Sequence, residues 1–225
     1  MPSGPAFHGI LLNQPARLQS PPIPTPSHPT GGVFTLSAST TIQAPALSCV
    51  AIALDPTAYA SWSRPTSCAS LVSSPPPDPE ADPVLQPIFA RSARPGSVIR
   101  LATVLRPGWV PVTIKITIRA AVRFHDVEGR SGWRIIWAPR SVPGVVSWTE
   151  RVQEFIEVSD GNGDGVVTEY TLWETFGGVA AHIMKATLTK DLVGSCESWM
   201  DDLKREAERQ ARAAREPEEN GPLGS

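Results

Sequence analysis

From Val112 to His125 the chain alternates without interruption: Val112, Ile114, Ile116, Ile118, Ala120, Val122 and Phe124 are interleaved with Thr113, Lys115, Thr117, Arg119, Ala121, Arg123 and His125. Period two over such a length predicts a long β-strand with one apolar and one polar face, as in an antiparallel sheet with one side to bury. Asp126 to Gly132 turns the chain, and Trp133, Ile135 and Trp137 alternate on the next strand. Two more strands, about 145–157 and 166–176, flank the turn from Ser159 to Gly165. Upstream, Phe34 to Ile42 is a Thr- and Ser-rich strand and Val98 to Leu105 another. Between them Ala44-Pro45 starts a short helix reaching about Leu54, and Asp55-Pro56 opens a second through Tyr59 to Trp62.

An antiparallel sheet with one apolar face needs a cover. Beyond Gly177-Gly178 the period changes: Leu188, Leu192, Cys196, Trp199 and Leu203 recur at three-to-four spacing, which predicts a long amphipathic helix. Gly194 lies inside it and permits a bend. The predicted fold class is therefore α+β, a curved antiparallel sheet wrapped around a long C-terminal helix, with two short helices after the first strand.

The 24 prolines mark the boundaries. Residues 1–32 read as a Pro-rich flexible leader, 33–212 as one domain with a Pro-rich loop insertion at about 65–95, and 213–225 as a tail. The tail's last residues, Gly221-Pro222-Leu223-Gly224-Ser225, look like a tag remnant. With 41% hydrophobic and 19% charged residues the chain carries enough apolar surface for a core. A net charge of -2 lacks the basic footprint of a nucleic-acid binder. No apolar run is long enough for a transmembrane helix. Cys49, Cys68 and Cys196 are far apart with no CxxC pair, so they read as inert, outside any disulfide framework or zinc site. A reduced cytoplasmic chain is the default expectation, and a homodimer stays open. Phosphate loops, GxSxG and HExxH are absent from the sequence.

Five segments carry a family resemblance: Thr41 to Ala46 (TIQAPA), Asp55 to Trp62 (DPTAYASW), Glu150 to Phe155 (ERVQEF), Trp173 to Gly178 (WETFGG) and Trp199 to Glu208 (WMDDLKREAE). In this order and spacing the chain resembles the START-like helix-grip proteins, the SRPBCC superfamily of polyketide cyclases, birch-pollen-allergen-like and coenzyme-Q-binding proteins, over about residues 35–210, and most of all a fungal branch. The resemblance implies a pocket for a hydrophobic small molecule and no fixed cofactor. It does not choose between an enzyme and a carrier.

Glu174 is the leading candidate for chemistry. Alternation puts it on one face with Tyr170, Leu172 and Phe176, the more apolar and hence inward face. A lone carboxylate there would be desolvated and its proton available. Its partner depends on hairpin register. One register sets Glu150 opposite Glu174 and aligns Trp148, Val152 and Ile156 with Leu172 and Phe176. That is the expected pairing, and it makes a coupled carboxylate site. A shift of one residue brings Arg151 to Glu174 instead and makes a structural ion pair. The first register favours an enzyme promoting a cyclisation or dehydration, with Tyr170 or His182 polarising an oxygen; the second favours a lipid, quinone or sterol carrier. His182 reads otherwise as an ordinary helix-surface or rim residue, the commoner case. Tyr59 and Trp62, on the helices that close the cavity in this family, and Ile116, Ile118, Trp133, Trp137, Trp148, Leu172 and Phe176 are candidate ligand contacts or simple packing. Asp160-Gly-Asn162-Gly-Asp164-Gly165 begins like a calcium loop, but Thr171 stands where a bidentate Glu is needed, so it reads as a turn and no metal is expected.

Overall fold

The computed structural model describes residues 9–106, 108–139, 144–160 and 165–219. Among these residues eight antiparallel strands form one sheet. They are β1 (Arg17–Gln19), β2 (Phe34–Ile42), β3 (Thr66–Ser73), β4 (Val98–Thr103), β5 (Val112–His125), β6 (Ser131–Pro139), β7 (Trp148–Ser159) and β8 (Val166–Gly177), in spatial order β1-β2-β8-β7-β6-β5-β4-β3. α1 (Ala46–Leu54) and α2 (Tyr59–Trp62), joined by a 3-10 turn, follow β2. A single turn, α3 (Gln86–Phe89), precedes β4, and α4 (Val179–Thr187) and α5 (Thr189–Glu219) end the chain. The inner face of the sheet packs against α5, whose Cys196, Trp199, Met200, Leu203 and Ala207 are buried with Ala38, Ile42, Ile118, Ile135, Phe155 and Leu172. This is the helix-grip α+β architecture.

Residues 9–32 are not a flexible leader. β1 adds a strand beside β2, and the chain beyond it crosses the outer face of the sheet. There Ile23 packs on Ile136, Val152 and Trp173. Thr35 and Ser39 of β2 and Thr175 of β8 are buried under this strap and bond it. The Ile23 amide donates to Thr35 Oγ1 (2.8 Å), Thr175 Oγ1 donates to the Ile23 carbonyl (2.7 Å), and Ser39 Oγ donates to the Leu11 carbonyl (2.6 Å). Buried backbone donors and acceptors need partners, and Ser and Thr hydroxyls supply them here.

The Pro-rich insertion contains structure as well. Proline-free Thr66–Ser73, bracketed by Pro65 and Pro75, is the edge strand β3, and Leu85 and Phe89 beyond it reach the core. Strand β5 does not keep one apolar face. A bulge between Ile118 and Ala120 inserts a residue, so Ile116 and Ile118 point inward while Ala120 and Phe124 pack on the outer face.

The predicted single long helix is two helices. Thr187 Oγ1 donates to the Ile183 carbonyl (2.8 Å) and Thr189 Oγ1 to the Lys185 carbonyl, competing with the helical ladder and leaving Leu188 at the joint. α5 continues through Gly194 without a break. A Cβ at Gly194 would meet nothing within 4 Å. Gly194→Ala is therefore expected to raise stability by about 0.5–1 kcal/mol, measured by urea denaturation at unchanged m-value.

Candidate functional site

Between the inner face of the sheet and the α4–α5 joint lies a cavity of about 420 Å³. Leu36, Leu101, Ile116, Trp137, Phe176, Met184, Leu188, Leu192 and Trp199 contribute most of its wall. Among the described residues two charged side chains face it, Arg151 and Glu174. They belong together because strands β7 and β8 pair with Arg151 opposite Glu174 and Glu150 opposite Thr175. Arg151 Nη2 lies 2.6 Å and Nε 3.0 Å from Glu174 Oε2, and Thr149 Oγ1 donates to Glu174 Oε1 at 3.0 Å. The guanidinium carbon stands 5.8 Å from both the Trp137 and Trp199 rings, within cation–π reach. Burial pulls the Arg151 pKa down, and the charge and hydrogen bonding of Glu174, joined by Cys196 and Tyr170, together more than offset it, so the net direction is up. Arg151 is a fixed cation.

The carboxylate pair expected from sequence does not form. Glu150 points to the outer face, where Ser27 of the strap donates both its amide (2.9 Å) and its hydroxyl (2.6 Å) to it. Trp148 shares that outer face, stacked on His28 at 3.5 Å between ring centroids. The strand's largest apolar residues fall on this parity, which makes it look inward in sequence, yet Trp148 and Val152 are covered by the strap and Ile156 packs on Phe124 across the outer face.

Tyr170 does face inward but stands behind Trp199, fully buried. Its hydroxyl donates to Gln153 Oε1 (2.7 Å), which also accepts from Trp199 Nε1 (3.0 Å). Burial drives the Tyr170 pKa far up, with only partial relief from Arg151. It is a neutral structural hydrogen bond, not a polariser of ligand oxygen. His182 lies exposed on α4 rather than in the first turns of one long helix.

Among the proposed contacts, Ile116, Trp137 and Phe176 line the cavity, while Ile118, Trp133 and Leu172 are core residues beyond its wall. Tyr59 and Trp62 also stand behind the wall. Tyr59 meets Trp199 and Trp62 edge-on at 5.3 and 5.4 Å, and its hydroxyl donates to the Ala53 carbonyl. These contacts hold Trp137 and Trp199 in place. The wall residues that sequence reasoning missed carry legible signals: Leu188, Leu192 and Trp199 are the helix stripe itself, and Arg151 is the alternative register.

One edge of the mouth is tied by an ion pair. Arg106, next to the lining residue Leu105, places Nε 3.0 Å from Asp191 Oδ1 and Nη2 2.6 Å from Oδ2, next to the lining residue Leu192. Buried Cys49 and Cys196 have their thiol pKa values pushed up to about 12 by burial, while Cys68 is exposed on the edge strand. Among the described residues no group of three His, Cys, Asp or Glu could hold a metal ion. Residues 161–164 of the calcium-loop-like turn lie outside the described residues. Among the described residues no helix is long and apolar enough to cross a membrane.

No family model matches the chain, and no curated protein matches it. Solved structures resemble it at low identity. The Zhui aromatase/cyclase from Streptomyces sp. R1128 is 18% identical, covering 80% of this chain and 96% of that one at a TM-score of 0.47. Ara h 8.0201 is 12% identical over 78% of this chain and 98% of that one (TM-score 0.49). A STAR-related lipid transfer protein from Xanthomonas axonopodis is 12% identical over 78% and 86% (TM-score 0.45). The chain has a START-like helix-grip fold.

Proposed function

We propose that this protein binds a hydrophobic small molecule carrying an acceptor oxygen, and holds it without covalent change. The observation that carries this reading is the ion pair of Arg151 and Glu174 set in a largely apolar cavity. A volume of about 420 Å³ falls within the roughly 300–1,000 Å³ of small-molecule sites. The apolar wall supplies affinity in proportion to the surface it takes from water. Both oxygens of Glu174 are already accepting hydrogen bonds, from Thr149 and Arg151. Two edges of the guanidinium are spent on Glu174, which leaves Nη1 to donate to a carbonyl, phenol or carboxylate oxygen of the ligand. A cyclisation or dehydration would instead need Glu174 poised over the ligand as a free proton acceptor, and the Arg-paired register argues against that role.

The test is to incubate the purified protein with aromatic polyketides, quinones and long-chain lipids, and to read both retained and free compounds by native and denaturing mass spectrometry. Wild type and Glu174→Gln are both expected to retain a compound of unchanged mass. A compound converted by wild type but left intact by Glu174→Gln would replace the binding reading with a catalytic one.

A further inference from the structure

The end of the sheet that carries the cavity mouth exposes apolar side chains from three separate segments. Strands β4, β6 and β8 end there, and β5 and β7 begin there. The β4–β5 connection presents Val110, 84% exposed, and Trp109, 48% exposed. The approach to β7 presents Val145, 77% exposed, and α4 presents Val179 and Ile183, 68% and 64% exposed. The last two segments are one surface, because the Val179 and Ala180 amides donate to the Val145 and Val146 carbonyls at 3.2 and 2.9 Å. Gly178 makes that approach possible: its φ is +82°, and a Cβ there would sit 2.8 Å from the Val146 carbonyl. Val179 and Ile183 are four residues apart and share a helix face, while Met184 on the same helix turns into the cavity wall. Val112 and Ile114 are exposed and line the cavity at once, so the patch is continuous with the cavity interior.

The charges near this end are mostly basic. Among the described residues of 104–112, 144–148 and 178–192 they are Arg106, Lys185 and Lys190, against the single carboxylate Asp191, itself paired with Arg106. Arg106 also lies over the Trp109 ring, 4.3 Å from its centroid. Among the described residues, the connections at the opposite end of the sheet carry Asp78, Glu80, Asp82, Asp126, Glu128 and Asp160 against Arg91, Arg94 and Arg130, an acidic excess. The molecule is therefore polarised, with an apolar, basic end around the cavity and an acidic end away from it. A cluster of exposed aliphatic residues with an amphipathic Trp and flanking cations matches the chemistry of an anionic lipid surface: hydrocarbon takes the apolar tips, headgroup depth takes the indole, and the surface potential attracts the lysines.

We propose that this end docks on an anionic bilayer, which places the cavity mouth against the membrane so that a hydrophobic ligand passes between the two without crossing water. The docking step goes beyond ligand binding and is measured without any ligand. Ligand-free full chain is floated with phosphatidylcholine vesicles that contain or lack phosphatidylserine. Wild type is expected to bind the phosphatidylserine vesicles at least about tenfold more tightly, with added salt weakening it. Val110→Asp with Ile183→Asp, both at solvent-exposed positions, is expected to lower that binding about tenfold or more at unchanged circular dichroism and melting temperature. Lys185→Glu with Lys190→Glu should remove most of the preference for phosphatidylserine. Failure of wild type to float with either vesicle, or equal binding by the aspartate variant, overturns the proposal. So does a wild-type dimer in light scattering that Ile183→Asp converts to monomer, because the occupant is then a second copy of the chain. Docking with no retained compound in the mass-spectrometric panel would leave this inference standing and remove the ligand-binding one.

Discussion

Removal of residues 1–32 is expected to leave a chain that no longer folds cooperatively, although composition alone marks this stretch as a dispensable Pro-rich leader. The strap is part of the core. Ile23 is buried against Ile136, Val152 and Trp173, and Trp173 Nε1 donates to the Pro24 carbonyl at 3.2 Å. Glu150, 1% exposed, receives two hydrogen bonds from Ser27. Deletion would bare a Trp, a Val and an Ile and strip Glu150 of both donors. Burial of side chains of this size contributes about 1.5–3 kcal/mol each, and the orphaned polar groups cost about 1–3 kcal/mol more. The loss, of order 5 kcal/mol or more, is comparable with the entire net stability of a typical domain, about 5–15 kcal/mol. The measurement is urea denaturation of the full chain beside a chain beginning at residue 33, with Ile23→Ala as a milder variant expected to lose about 2–4 kcal/mol. A truncated chain with an unchanged midpoint and m-value would show the strap to be idle.

The same strap explains which parts of the site could be read from sequence. Strand β8 was legible: Tyr170, Leu172 and Phe176 share its inward parity, so Glu174 was placed correctly on the cavity face. Strand β7 was not. Its inward parity carries Thr149, Arg151, Gln153 and Phe155, and its outward parity carries Trp148, Val152 and Ile156. Alternation finds the core face only when the other face meets water. Here residues 9–32 lie across the outer face, and the polar inward residues engage one another: Arg151 pairs with Glu174, and Gln153 Oε1 accepts from Tyr170 and Trp199. A reading by hydrophobicity therefore selects the wrong register by one residue, and with it the wrong partner for Glu174. The bulge in β5 is equally silent, since Ala120 and Ala121 fit either face. The helix joint leaves a fainter trace in Thr187 and Thr189, which bracket Leu188. The long helix, the two short helices after β2 and the antiparallel sheet were legible because each rests on periodicity or on turn chemistry that the strap does not disturb.

The pairing of Arg151 with Glu174 makes the second large prediction, and the expected loss is larger in the single variants than in the double one. Both side chains are mostly buried, 18% and 15% exposed. Arg151→Leu leaves Glu174 facing an apolar cavity without its counter-charge, which costs about 3 kcal/mol, at the lower end for buried pairs because some access to solvent remains. Glu174→Leu strands the guanidinium between Trp137 and Trp199 and costs a similar amount, softened by the two rings. Replacing both with Leu removes the desolvation penalty along with the attraction, so the double variant should come within about 1 kcal/mol of wild type. A coupling of about 3 kcal/mol or more between the two sites would follow, far above the few tenths expected of independent positions. Ligand binding should not recover in parallel. If Arg151 Nη1 anchors an acceptor oxygen, affinity falls about tenfold or more in Arg151→Leu and stays low in the double variant, since a hydrogen bond to a charged donor is worth about 1.5–3 kcal/mol. Stability is read by urea denaturation and affinity by titration with whichever compound mass spectrometry finds retained. Stability restored without affinity separates the two roles of the ion pair, scaffold and anchor. Additive stabilities would mean that the pair does not hold β7 to β8 as the register implies, and full affinity in the double variant would place the ligand's polar group elsewhere in the cavity.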